Sequence, residues 1–270
     1  MTVELQQASP KTPKGLYVDG LVKSYPPRKG SSTGRVLVLN SITLSVAEGE
    51  LVSIFGPNGC GKTSLLRIIA GLMQPDSGLV QIGGQTDRST KVGFVFQNYG
   101  DSLLPWCDVL DNVAFPLELC GMRRKQRRMQ AREMLGKLGI KLAQGAYPYQ
   151  LSGGQQQLVA IARALILSPN ALLLDEPFGS LDYWTRLRME QTLQEIYTKL
   201  SPTTLFVSHD LDEALLLADR VLLLSQMPAQ VLEEIRVDAG RPRPPSWLVS
   251  DEFRSLKMRA LDVLGEEFVM

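Results

Sequence analysis

GPNGCGKTS, residues 56–64, stands between the apolar run LVSIF (51–55) and the helix-periodic run LLRIIAGL (65–72). A strand that passes into a helix through a loop nearly bare of side chains brings backbone N–H groups and the positive helix end to one point. The spacing fits GxxxxGK[ST] through Gly56, Gly61, Lys62 and Thr63, with Asn58, Gly59, Cys60 and Ser64 completing the loop. A loop of this kind wraps a nucleoside triphosphate, because only small residues let the backbone come close to phosphate oxygens. Lys62 would neutralise the β- and γ-phosphates, and the Thr63 hydroxyl would ligate Mg2+. The dinucleotide pattern GxGxxG fails, because Ser64 stands where its last glycine belongs.

Two further segments belong with this loop. ALLLDEP (171–177) reads as a buried strand ending in two carboxylates. Neighbours on a strand point to opposite sides, so Asp175 is expected to face Mg2+ and Glu176 an attacking water, as general base. TTLFVSHD (203–210) ends a second strand with His209, the chain's one histidine. Ligands of parallel sheets gather at the carboxyl ends of their strands, so His209 is expected to contact the γ-phosphate.

The 270 residues are 44% hydrophobic with a formal net charge of +1, enough apolar content for a sizeable core and no global bias towards nucleic acid. The basic run MRRKQRR (122–128) reads as a solvated helix face, and no nucleic-acid partner is expected. Cys60, Cys107 and Cys120 have no paired or metal-ligating spacing, which points to free thiols in a reducing compartment. Cys60 lies within the glycine loop, so a bulky thiol reagent is expected to block it. The start MTVELQQASPKTPKG lacks a signal-peptide apolar region, and no run of 18 apolar residues occurs. The expectation is a chain that neither spans a membrane nor is secreted by the general route.

After a loose lead (1–14), strand patterns fall at 15–22, 36–46, 51–55, 79–82 and 91–96, with hairpin-tip composition at 28–35 and a turn at 45–50. From about 98 to 170 the patterns are helical. ALLLDE, TTLFVS and RVLLLS then alternate with helical runs, which implies a parallel sheet. After the stiff RPRPP (241–245) comes a short amphipathic tail, expected to dock as a helix over 246–270.

LSGGQ at 151–155, twenty residues before Asp175, resembles the signature of ATP-binding cassette (ABC) ATPases, and residues 16–240 follow that family's order. The resemblance implies an α/β fold: a P-loop NTPase core with a mainly parallel sheet, an N-terminal antiparallel β subdomain and an inserted α-helical subdomain. It implies one cassette over 15–245 that hydrolyses ATP with Mg2+ and works as a head-to-tail dimer with a second ABC ATPase subunit. Ser152, Gly153, Gly154 and Gln155 would then reach the nucleotide held by the partner. Tyr25 resembles the aromatic that stacks on adenine, or is an ordinary tyrosine. Gln97 resembles the glutamine that joins the metal site to the helical subdomain. Asp182 in FGSLD resembles the dimer-facing loop, or caps a helix. Leu158 departs from the arginine usual after LSGGQQQ.

One cassette, with no fused membrane domain and no coiled-coil insertion, implies a separate permease. SLLPW (102–106), DNVAFPLE, SHDLDEALLLADRVLLLSQMP and RPRP look like the nitrate, sulfonate and taurine importer group, which implies uptake of a small oxyanion of the nitrate, sulfonate or bicarbonate class; an exporter ATPase with a separate permease, or a soluble ABC ATPase acting on nucleic acid through the 122–128 run, is the alternative. That resemblance implies a peripheral subunit on the cytoplasmic face of the inner membrane, served indirectly by an extracytoplasmic solute-binding protein. Trp106 either fills core or touches the permease.

Overall fold

The computed structural model describes residues 15–27, 34–85, 90–179 and 181–269; the expected loose lead, most of the hairpin tip and Ser180 lie outside the described residues. The amino-terminal strands β1 (Leu16–Tyr25) and β2 (Val36–Val46) pair antiparallel, and β4 (Ser77–Ile82) pairs antiparallel on the other edge of β1. The larger sheet has the order β5-β6-β7-β3-β8-β9. It is formed by β3 (Leu51–Phe55), β5 (Val92–Val95), β6 (Ala171–Asp175), β7 (Thr204–Ser208), β8 (Arg220–Leu224) and β9 (Val231–Arg236). All its pairings are parallel except β8 with β9. The α/β class and mainly parallel core are as the sequence implied.

Strand β9 is the element that the sequence reading did not single out. Its residues VLEEIR carry two adjacent glutamates, which mask the alternation of a strand. Cations supply the compensation: Arg220 of β8 bonds Glu234 at 2.8 Å, and Arg259 bonds Glu233 at 2.6 Å.

The parallel strands are buried on both faces, with neighbours facing opposite ways. Ala171 and Leu173 pack with helix α1 (Lys62–Ile69) and the antiparallel sheet, whereas Leu172 and Leu174 pack with the remaining helices. Those helices are α3 (Val109–Leu119), α4 (Arg124–Lys137), α5 (Gly153–Leu165), α6 (Tyr183–Leu200), α7 (Leu211–Leu217) and α8 (Asp251–Val269); the single turn α2 (Tyr99–Ser102) precedes them. Each fully buried leucine contributes about 1.5–3 kcal/mol, so the two faces together fix the strands' rotation about their axes. Phe253, Ala260 and Leu264 of α8 join the same core.

Within the basic run Arg124, Arg127 and Arg128 are matched by acids of the neighbouring helix and its cap. Arg128 bridges Asp108 and Asp111, Arg124 bridges Asp111, and Arg127 bridges Glu118. Arg243, which the proline-rich stretch conceals, is only 2% exposed, and its guanidinium donates to the carbonyls of Leu215, Leu216, Ala218, Val237 and Ala239. It closes the carboxyl end of α7, whose last carbonyls have no helical partner.

Candidate functional site

Strands β6, β7 and β3 are neighbours in the sheet and parallel, so their carboxyl ends open on one edge. That edge receives Asp175 from β6, His209 just past β7 and the glycine loop just past β3. No local pattern dictates this meeting; the strand order does.

Gly61 caps α1 with φ +114°, and a Cβ there would stand 2.7 Å from Val38 Cγ1, so only glycine lets β2 close over the loop. Lys62 is 5% exposed, and its ammonium donates to the carbonyls of Gly56 (2.6 Å) and Pro57 (2.8 Å). The loop thereby fixes the cation at its own centre. Thr63 donates its hydroxyl to Asp175 Oδ1 at 3.0 Å, and Ser64 shares a 2.8 Å hydrogen bond with the Tyr25 hydroxyl. Tyr25, Val38, Asn58, Gly59, Gly61, Lys62, Thr63, Ser64 and Glu176 line one cleft of about 290 Å³. A roomier groove of about 530 Å³ between α1 and β4 carries no ionisable side chain among the described residues, so the polar cleft is the one equipped for chemistry.

Asp175 faces α1, on the side of Leu173, as strand alternation requires. Burial pushes its carboxyl above the ordinary range, and the Thr63 hydroxyl partly opposes this. Glu176 reaches a different direction by another route than alternation: its φ is +46°, so the backbone turns just as the strand ends. Its Oε2 receives the Gln97 amide at 2.8 Å and lies 3.2 Å from His209 Nδ1. Glu176, Gln97 and His209 therefore form one polar group beside the glycine loop. Asp175 and Gln97 also share a second cleft of about 380 Å³ with Arg67 and Ser102.

Two oxygen donors, Thr63 Oγ1 and Asp175 Oδ1, converge beside Lys62, and the described residues hold no cluster of three or more His, Cys, Asp or Glu side chains suited to a metal. This sparse oxygen set fits Mg2+, which takes one or two protein ligands and completes its shell with water and phosphate.

Cys60 requires a correction. It is 2% exposed, its thiol faces the core, and burial raises its pKa against the opposing charge of Lys62. A Cβ on Gly56 would lie 3.3 Å from its sulfur, so the side chain fills the underside of the loop. The expectation of a reagent-accessible thiol falls for that reason.

Ser152, Gly153, Gly154, Gln155 and Asp182 do not line the 290 Å³ cleft. Ser152 caps α5: its Oγ accepts from Gln155 N–H at 3.4 Å and Gln155 Oε1 accepts from Ser152 N–H at 3.0 Å. Asp182 caps α6, accepting from Thr185 N–H at 3.1 Å. A Cβ on Gly154 would stand 2.9 Å from Thr185 Cγ2, so this glycine lets the heads of α5 and α6 touch. Leu158 packs against the core, and Trp106 is 73% exposed, so it does not fill core.

Behind His209 lies a group the sequence did not announce. Asp210 caps α7 and pairs with Arg186 at 2.9 Å. Burial pushes Glu190 up to about 7, with Asp210 adding to the rise, and pushes Glu213 well above the carboxylate range. Both glutamates are buried where α6 and α7 pack together.

A phosphate-cradling loop, an oxygen pair for a divalent cation and a carboxylate aimed beside them define a nucleoside triphosphatase of the P-loop class. Residues 39–179 match the ABC transporter family, and the chain belongs to it. It is similar to a taurine import ATP-binding protein, TauB, of Yersinia pestis, 42% identical over 238 residues that cover 85% of this chain and 91% of that protein. It is 43% identical over 235 residues to an uncharacterized ABC transporter ATP-binding protein of Methanocaldococcus jannaschii, covering 86% of each. A solved dimeric ATP-binding cassette in a post-hydrolysis state with ADP and Pi is 32% identical, with a TM-score of 0.69, over 83% of this chain and 100% of that one. This protein binds ATP and is an ATPase.

Proposed function

We propose that this ATPase powers an importer that takes up a small sulfonate-class oxyanion such as taurine through a separate permease. The observation that carries the reading is the 42% identity to a taurine import ATP-binding protein along nearly the whole of both chains. Nitrate and bicarbonate are the other cargoes of this chemistry. Among the described residues no helix is long and apolar enough to cross a membrane, and in this reading the permease is another chain.

In this reading two copies bind head to tail on the cytoplasmic face, with two ATPs between them. Tyr25 stacks on adenine, and the backbone of the glycine loop and Lys62 hold the phosphates. Thr63 and Asp175, with Gln97 near them, would hold Mg2+, which neutralises charge on the transferring phosphoryl group. Glu176 takes a proton from the water that attacks the γ-phosphorus as the bond to the β-phosphate oxygen breaks, and Gln97 and His209 fix the Glu176 carboxylate. Ser152, Gly153 and Gly154 bring a helix N-terminus to the partner's nucleotide, with Gln155 bracing that cap and Asp182 facing the partner. Trp106, exposed on the helical region, meets the permease. Closure of the dimer moves that region, and hydrolysis releases it.

The test is to purify the tagged protein from native membranes in mild detergent, identify its companions, and reconstitute them in liposomes with the solute-binding protein. ATP-dependent uptake of taurine or another sulfonate is expected. A permease that moves neither sulfonate, nitrate nor bicarbonate inward would sink the cargo and direction together.

A further inference from the structure

Gln157 lies on α5, one turn past the Ser152 cap, and is fully buried. Its Nε2 donates to the carbonyl of Pro177, the residue that follows Glu176. Its Oε1 is buried without a partner among the described residues. Such an orphan is costly by about 1–3 kcal/mol, and an aliphatic side chain would avoid it, so the amide donor is where the benefit of this residue lies.

The recipient turn needs holding. Glu176 occupies left-handed backbone at φ +46°, a conformation that persists in a non-glycine residue only when its surroundings over-determine it. From the strand side, Glu176 N–H donates to the Val207 carbonyl at 3.1 Å, and Gly179 N–H donates to the Glu176 carbonyl at 3.3 Å. Pro177 has no N–H to contribute. Gln157 supplies the tie from the opposite side, from a helix whose first turn carries Ser152 and Gly153.

We propose that Gln157 is a positioning residue for ATP hydrolysis: its bond to the Pro177 carbonyl holds the turn that aims Glu176 and couples that turn to the helix headed by Ser152. The proposal rests on Glu176 being the general base. It makes the base sensitive to the placement of α5, so a displaced signature helix slows hydrolysis without loosening ATP.

The test compares steady-state ATPase of the full chain with that of Gln157→Leu and Gln157→Glu, with Glu176→Gln alongside. Gln157→Leu removes the donor at similar volume; kcat is expected to fall about tenfold or more, with KM for ATP within about twofold, because a small misplacement of a catalytic group acts on turnover. In Gln157→Glu the carboxyl donates only while protonated, and burial raises its pKa. The ratio of its kcat to the parental kcat should therefore stand near one at about pH 6 and decline towards the leucine variant's value by about pH 9. A parental kcat in Gln157→Leu, or a rise in KM with kcat unchanged, overturns the inference. Should the leucine variant fail to fold, a ratio for Gln157→Glu that stays flat with pH overturns it equally. Inactive Glu176→Gln beside fully active Gln157→Leu removes this inference alone, whereas parental turnover in Glu176→Gln removes the base assignment itself.

Discussion

Replacing Arg243 with methionine keeps the length of the side chain and removes every donor it presents. Five buried carbonyls lose a charged partner, those of Leu215 (3.2 Å), Leu216 (3.0 Å), Ala218 (2.8 Å), Val237 (3.2 Å) and Ala239 (2.7 Å). At about 1–2 kcal/mol for each, the gross loss is roughly 5–10 kcal/mol. Burial opposes the charge, depressing the guanidinium to about 10. A depression of that size corresponds to about 3 kcal/mol recovered when the cation is deleted. The net expectation is a destabilisation of about 2–7 kcal/mol, which brackets the range for breaking a buried ionic network by removing one member. The stack of Arg243 on Trp247, with 5.2 Å from Cζ to the ring centre, is lost as well, so the link from α7 to the tail should loosen first. Urea unfolding followed in parallel by tryptophan fluorescence and far-ultraviolet circular dichroism measures both effects. A loss under about 1 kcal/mol with an unchanged m-value would show that the carbonyls find other donors, and that the ledger built on this guanidinium is wrong.

Three other outcomes are expected. Glu190 titrates near 7 in the fold against an ordinary value of 4.5, so its contribution is fully present below about pH 4.5 and is lost as pH rises through 7, on the order of 3 kcal/mol in all. Glu190→Gln should flatten the fall of Tm over that window; curves that run parallel to the parent's reject the assignment. Cys60 in the native protein should react with a bulky maleimide at least ~100-fold more slowly than the exposed Cys120, as read by peptide mass spectrometry, because attack needs an accessible thiolate. Comparable rates would show that the glycine loop opens readily. Gly154→Ala forces a Cβ to within 2.9 Å of Thr185 Cγ2 and should lower stability by about 1–2 kcal/mol through overpacking. An unchanged Tm would mean that α5 and α6 separate without penalty.

What the linear chain determined on its own is chemistry carried by contiguous residues. Gly56 to Ser64 between an apolar strand and an apolar helix specify a phosphate loop, because N–H groups at a helix start and the absence of side chains are local properties. LSGGQ specifies a capped helix start in the same way, and ALLLD, apolar throughout, specifies a strand covered on both faces with Asp175 on the side of Leu173. Tertiary structure decided everything that depends on which strand lies beside which. The order β5-β6-β7 brings Gln97 and His209 onto one oxygen of Glu176, and a left-handed turn, not strand alternation, swings that carboxylate away from Asp175. Packing also turned Cys60 inward, buried Glu190 and Glu213 between α6 and α7, and gave Gln157 and Arg243 their carbonyl partners. For Gln157 with Pro177, and for Arg243 with Leu215, Leu216 and Ala218, the two members of the pair lie twenty or more residues apart in the chain, so no local pattern reports that these side chains are buried and bonded.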